Sequence, residues 1–290
     1  MEKINGIIVL DKPQGKTSHD MVYFMRRLTG IRKIGHTGTL DPQATGVLPI
    51  CIGNATKAAD MLTHSDKGYI AEFKLGITSD TEDIWGNILS ESEPVKNEDE
   101  IRNAVLSFIG DISQIPPMYS AIKQNGKKLY ELAREGRVVE RKARTVTIHG
   151  IDILEISDTV KIRVDCSKGT YIRTLCADIG KKLGCGAVMT ALRRIRTANF
   201  VTEDAYSCEE LTELAECGEL QRAVKSTDEI FEEYPPLYLT ENQTRSVKNG
   251  VIMTYRRADG MYRVYDNNGA FICVGEITDE KIRVKKSFWT

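Results

Sequence analysis

The clearest rhythm along the chain is an alternation from Gly68 to Leu75. Tyr69, Ala71, Phe73 and Leu75 share one face, and Ile70, Glu72 and Lys74 share the other. A period of two predicts a half-buried strand. The apolar run Ile7-Ile8-Val9-Leu10 predicts a buried strand ended by Asp11-Lys12-Pro13. Met21, Val22, Met25 and Leu28 then recur at helical spacing, with Ser18 placed as N-cap and Gly30 just past the end. A second helix is predicted after Asn97 from Ile101, Val105 and Phe108, stopping at Gly110, and a third from Ile172, Leu175, Ile179 and Leu183, stopping at Gly184. Ser207 and Glu210 have capping-box spacing for one more. Residues 146–156 and 160–166 read as strands.

Between residues 31 and 53 the periodicity disappears, while Gly35, Gly38, Pro42, Gly46, Pro49 and Gly53 punctuate the chain. A long ordered loop or set of turns is expected there, and such loops tend to carry function. Residues 113–145 are polar and basic and contain Pro116-Pro117, which suggests an insertion over a core. Pro235-Pro236 marks a boundary, followed by short strands and turns such as Asp266-Asn267-Asn268-Gly269. Strands and helices mix without a βαβ rhythm, so the fold class expected is α+β, a mainly antiparallel sheet with flanking helices. The domains expected are residues 1–230, with the insertion at about 113–145, and a small β-rich domain at 231–290.

A hydrophobic fraction of 41% and a charged fraction of 28% are those of an ordinary globular protein. No apolar run approaches membrane-spanning length and the amino terminus lacks a secretory signal, so a cytoplasmic protein with no membrane association is expected. Seven widely spaced cysteines without a CxxC, with four scattered histidines, suggest neither a disulfide framework nor a metal site. The net charge of −1 does not announce a nucleic-acid binder. Its distribution changes that picture: basic residues concentrate in 123–144 and 161–196, and the balancing acid in 80–111 and 203–233. Such segregation allows a basic face on a neutral protein.

Gly15-Lys16-Thr17 ends like a phosphate-binding loop, but that motif needs a glycine where Leu10 stands, so NTP binding is set aside. The segment that carries chemistry is Gly35-His36-Thr37-Gly38-Thr39-Leu40-Asp41-Pro42-Gln43-Ala44-Thr45-Gly46-Val47-Leu48-Pro49. Asp41 precedes a proline and is biased to extended backbone, so it is expected on a turn. On these grounds alone Asp41 reads first as a turn or capping aspartate, and His36 as a surface or capping histidine.

The same segment closely resembles the catalytic motif of the TruB family, the bacterial tRNA pseudouridine-55 synthases. Further blocks match in order over roughly residues 5–200: Leu10-Asp11-Lys12-Pro13, Gly53-Asn54-Ala55-Thr56-Lys57, Lys67-Gly68-Tyr69, Gln114-Ile115-Pro116-Pro117-Met118-Tyr119-Ser120-Ala121 with Gly126-Lys127-Lys128-Leu129-Tyr130, Ser167-Lys168-Gly169-Thr170-Tyr171-Ile172-Arg173, and Leu192-Arg193-Arg194. The carboxy-terminal segment resembles a small PUA-like RNA-binding domain. The resemblance implies a base-flipping tRNA pseudouridine synthase acting on the T-loop uridine, with Asp41 as catalytic carboxylate, Arg173 as its charge partner and Tyr69 stacked on the target base. It implies that Tyr171 and Leu192 complete the uracil pocket, that His36 supports the gap left by the flipped nucleotide, and that the 113–145 insertion grips the T-arm. Phosphate contacts are expected from that insertion and from the 161–196 basics, with Lys12 and Lys57 as further candidates. The reaction is an isomerisation, so no cofactor or metal is expected, nor a guide RNA or protein partner, and the family expectation is a monomer. Two other readings stand beside it: a tRNA-folding chaperone of the same fold in which catalysis is dispensable, and the same chemistry on another RNA.

Overall fold

In the computed structural model, which describes residues 4–63, 65–124 and 126–289, the alternation at 68–75 is strand β4 of the following order. The chain begins β1 (Gly6–Lys12), α1 (Ser18–Thr29), β2 (Ile34–His36), β3 (Thr45–Ile52), a 3-10 segment Gly53–Ala58, α2 (Ala59–Thr63) and β4 (Lys67–Leu75). It continues β5 (Ile77–Ser79), β6 (Ile88–Glu91), α3 (Glu98–Leu106), β7 (Gly110–Gln114), β8 (Lys123–Gln124), β9 (Lys127–Lys128) and α4 (Leu129–Arg134). There follow β10 (Arg144–Ile156), β11 (Val160–Cys166), α5 (Ile172–Lys182), β12 (Ala187–Thr197), β13 (Phe200–Val201) and α6 (Cys208–Glu216). The last elements are β14 (Pro236–Tyr238), α7 (Glu241–Lys248), β15 (Met253–Thr254), β16 (Gly260–Tyr265), β17 (Phe271–Thr278) and β18 (Lys281–Ser287). This is the α+β class the pattern predicts, and no described helix is long and apolar enough to cross a membrane.

Two compact units interleave along the sequence: the described residues of 1–42, 46–64 and 198–290, and those of 43–45 and 65–197. In the first, β1 lies antiparallel to β3, from Gly6 opposite Ile52 to Lys12 opposite Gly46, and β2 also pairs with β3. The chain returns beside β1 through paired hydrogen bonds between Ile7 and Lys225 and between Asp11, Val9 and Tyr206. Ile7, Val9, Val47, Cys51, Ala55, Leu62 and Phe200 form a buried cluster. The carboxy-terminal strands make their own sheet in the order β14-β16-β17-β18-β15, over a core that includes Leu237, Val264, Cys273 and Ile277.

The second unit is an antiparallel sheet in the order β12-β4-β11-β10-β7. On β4, Tyr69, Ala71, Phe73 and Leu75 are buried, as the alternation requires. Helix α5 packs closely on β12, because Gly180 lacks a Cβ that would otherwise stand 2.2 Å from the Ala187 nitrogen. The insertion has a small core of Met118, Leu129 and Leu132.

Three expectations are corrected. The N-cap of α1 is Thr17, whose hydroxyl accepts from the Asp20 amide, while Ser18 is the first helical residue. Helix α3 ends at Leu106, and Gly110 opens β7 instead of stopping the helix. The predicted loop over 31–53 is shorter, because 45–52 is strand β3 despite Gly46 and Pro49. Pairing along both β1 and β2 overrides the local punctuation.

Candidate active site

Asp41 sits in the short loop between β2 and β3, half-buried, with Leu40 and Ala44 buried on either side of it. Three devices hold the loop in place. The buried Ser18 hydroxyl donates to the Leu40 carbonyl at 3.3 Å and accepts from the Leu40 amide at 2.9 Å. The Gly15 amide donates to the Pro42 carbonyl at 2.8 Å. The Lys12 ammonium donates to the carbonyls of Pro13, Lys16 and Pro42 at 2.8, 2.6 and 3.1 Å. Buried polar groups are tolerable only when paired, and here the pairing fixes the backbone on both sides of Asp41. Lys12 is 0% exposed, so it serves as an internal clamp instead of the surface phosphate contact expected of it. His36 ends β2, opposite Ile50, and Lys57 donates to the Trp289 carbonyl at 3.3 Å.

Asp41, His36, Lys12 and Lys57 belong to the first unit; Tyr69, Tyr171, Arg173 and Leu192 belong to the second. Register places Tyr69 opposite Arg194, and Ala71 opposite Leu192, across the β4–β12 ladder. Directly opposed residues share a face, so Tyr69, Leu192 and Arg194 line one side of this ladder. Arg194 is 0% exposed and hydrogen-bonded to Tyr69; burial lowers its pKa, and the tyrosine opposes that shift. The 161–196 basics were expected to meet phosphate, but Arg194 is an internal cation. Lys161 pairs with Glu72 at 2.9 Å and Arg196 with Asp165 at 2.7 Å. Lys67, also buried, donates to the Ser65 carbonyl at 2.6 Å. Its ammonium is pushed down to about 8, chiefly by burial and then by Arg194.

Arg173 lies in the first turn of α5, 4% exposed. A helix amino terminus is a poor place for a cation, and the surroundings compensate. The guanidinium donates to the carbonyls of Thr81 and Tyr119, each at 2.8 Å, and stands 3.9 Å from the Asp83 carboxylate. Tyr171, just before the helix, is fixed by Gln114: the Gln114 amide donates to the Tyr171 carbonyl at 3.0 Å, and the Tyr171 amide donates back at 2.8 Å. The Arg144 guanidinium lies over the Tyr171 ring, 4.9 Å from its centroid. Sequence reasoning gave none of Gln114, Asp83 and Ser18 a part in the site: Gln114 stood only within a family-like block, Ser18 only as a helix cap, and Asp83 was not named.

Comparison with known proteins gives the family. Residues 26–172 match the family described as TruB family pseudouridylate synthase (N-terminal domain), residues 173–232 the tRNA pseudouridylate synthase B C-terminal domain, and residues 235–286 the pseudouridine synthase II TruB C-terminal domain. The chain is 46% identical to the tRNA pseudouridine synthase B of Clostridium novyi, over 98% of this chain and 99% of the relative. It is 47% identical to that of Alkaliphilus oremlandii, over 93% and 89%. A crystal structure of a Cbf5-Nop10-Gar1 complex contains a similar chain, with a TM-score of 0.75 and 27% identity over 98% of this chain and 85% of that one. The fold is thus that of a pseudouridine synthase, an isomerase of uridine in RNA. The chain belongs to the TruB family of pseudouridylate synthases.

Proposed function

We propose that this enzyme isomerises the T-loop uridine of transfer RNA to pseudouridine, with Asp41 as its reacting carboxylate. The relatives' names supply the substrate class. The observation that carries the residue assignment is the braced loop, in which Ser18, Gly15 and Lys12 fix the backbone around Asp41. A carboxylate that must meet C1′ or C2′ of one ribose, or the uracil ring, gains from such fixity, because a misplaced group forfeits much of its effective concentration.

The reaction breaks the N1–C1′ bond, turns the uracil and joins C5 to C1′. The proton leaving C5 goes to solvent and N1 gains one, so the uridine keeps its composition. The target base has to leave its stack, as base-modifying enzymes generally require. In this reading Tyr69 stacks on the flipped uracil, Tyr171 and Leu192 close around it, Arg173 serves the reacting carboxylate, and His36 fills the space left behind. Exposed cations of the 113–145 insertion, such as Lys123, meet backbone phosphates. Residues 231–290, with their own sheet and core, act as the smaller RNA-binding domain. The enzyme works in the cytoplasm as a monomer, without a guide RNA.

Tritium release from transfer RNA labelled at uracil C5 tests the assignment. Wild type should release one tritium per tRNA, and Asp41→Asn none, while both bind the RNA with similar affinity. A wild-type protein that binds but releases nothing would transfer the role to RNA chaperoning.

A further inference from the structure

The turn that presents Thr81 and Asp83 to Arg173 has an unusual residue at its centre. Glu82 has a φ of 64°, in the left-handed region that side-chain-bearing residues rarely adopt. Such a conformation persists only when its surroundings over-determine it. Here the Met189 amide donates to the Glu82 carbonyl at 3.1 Å and the Ile84 amide donates to the Met189 carbonyl at 2.9 Å, so β12 grips the turn on both sides. Within the turn, the Thr81 hydroxyl donates to Asp83 Oδ1 at 2.7 Å and the Ser79 hydroxyl to the Asp83 carbonyl at 2.5 Å.

The Glu82 side chain, like that of Asp83, meets the first turn of α5. Its Oε2 accepts from the Thr174 hydroxyl at 2.6 Å, and Thr174 is the residue after Arg173. The Arg173–Thr174 step is therefore held at two adjacent side chains by three consecutive residues: Thr81 and Asp83 at the guanidinium, and Glu82 at the hydroxyl. Tyr119 supplies a further acceptor for Arg173 from the insertion.

We infer that Glu82 is a positioning residue: through the Thr174 hydroxyl it holds the first turn of α5 so that Arg173 keeps one orientation. The inference rests on the reading that Arg173 serves the reaction. Burial raises the Glu82 carboxyl above its ordinary range, the Thr174 hydrogen bond and the Arg173 charge opposing that shift. The other charged groups facing it are Asp178 on α5 and Arg141 from the insertion, with Lys181 of α5 and Glu91 of β6 along the wall of the cavity of about 520 Å³ that Glu82 and Asp178 also line. Protonation of Glu82 therefore weakens the hold on acidification, at a pH above that of an ordinary glutamate.

The test measures single-turnover tritium release at saturating T-arm RNA, RNA affinity, and the acid limb of the rate, for E82A, E82Q, T174V, T174S and R173A. E82A and T174V should each slow the step about tenfold with affinity within about twofold of wild type. Their combination should be no slower than either alone, and T174S should restore the rate. E82Q retains an acceptor and folds like wild type; its acid limb should lie at lower pH. If R173A is inactive while E82A and T174V match wild type, Glu82 has no positioning role. The inference also falls if only E82A is slow, or if the acid limbs of E82Q and wild type superpose. Full activity in R173A would instead remove the reading of Arg173 beneath it.

Discussion

At the scale of single residues, the cations of the second unit divide into those that face water and those that the fold uses inside. Lys67 and Arg194 are both buried, and each depresses its own charged state through burial. For Lys67 the sign follows directly. Its folded pKa of about 8 lies below the ordinary lysine value of 10.5, so the unfolded chain binds the extra proton across that window and stability rises with pH through it. Wild type should therefore gain stability relative to Lys67→Met as pH rises from about 8 to about 10, by up to about 3 kcal/mol. Urea unfolding of both proteins at pH 7 and pH 10 measures the change, and a constant difference would reject it. The same division explains how much of the site was legible in the sequence. Asp41 and Arg173 stand in blocks that a family resemblance picks out, and the resemblance pointed to Tyr69 although alternation alone made it plain core. Arg194 and Lys12 were misread as phosphate contacts, because charge in a sequence suggests solvent and only the fold supplies the buried partners.

At the scale of elements, α1 does two separable jobs with adjacent side chains. Thr17 caps the helix, and Ser18, one position on, turns inward to grip both backbone groups of Leu40. Thr17→Ala should cost about 1 kcal/mol of stability with tritium release unchanged. Ser18→Ala should cost a similar 1–2 kcal/mol and in addition slow single-turnover release, because Asp41 follows Leu40. Equal rates for the two variants would show that the loop keeps its shape without Ser18. The sequence could not separate these roles, since serine and threonine are both good caps, and periodicity locates a helix start only within a residue or two. Elements with strong periodicity, β4, β10, β11 and α5, were legible. Strand β12 was not foreseen: Arg193, Arg194 and Arg196 interrupt its apolar pattern, and it is a strand because β4 pairs with it from Leu75 to Lys67.

For the whole molecule, the Pro235-Pro236 break reads as a domain boundary, yet physical contacts cross it. Phe231 packs in one buried cluster with Ala58, Val274 and Phe288, its ring 5.8 Å from that of Phe288. Phe288 is in turn tied to the amino-terminal part through its carbonyl, which accepts from Asn54 at 2.9 Å, and to β17 through its amide, which donates to the Ile272 carbonyl at 2.8 Å. A module joined only by a linker would leave the 3-10 segment Gly53–Ala58 without this cover. Here the carboxy-terminal strands complete a core that the first sixty-odd residues begin, which is why contacts group the two together. Phe288→Ala removes a buried aromatic from that shared core and should cost about 3–5 kcal/mol. The loss should spread: hydrogen exchange read by mass spectrometry should show lower protection in β1 and β3 as well as in β17 and β18. Protection lost from β17 and β18 alone, with β1 and β3 unchanged, would instead mark residues 231–290 as an independently folding domain. In that case the boundary seen in the composition would also be the boundary of cooperative unfolding.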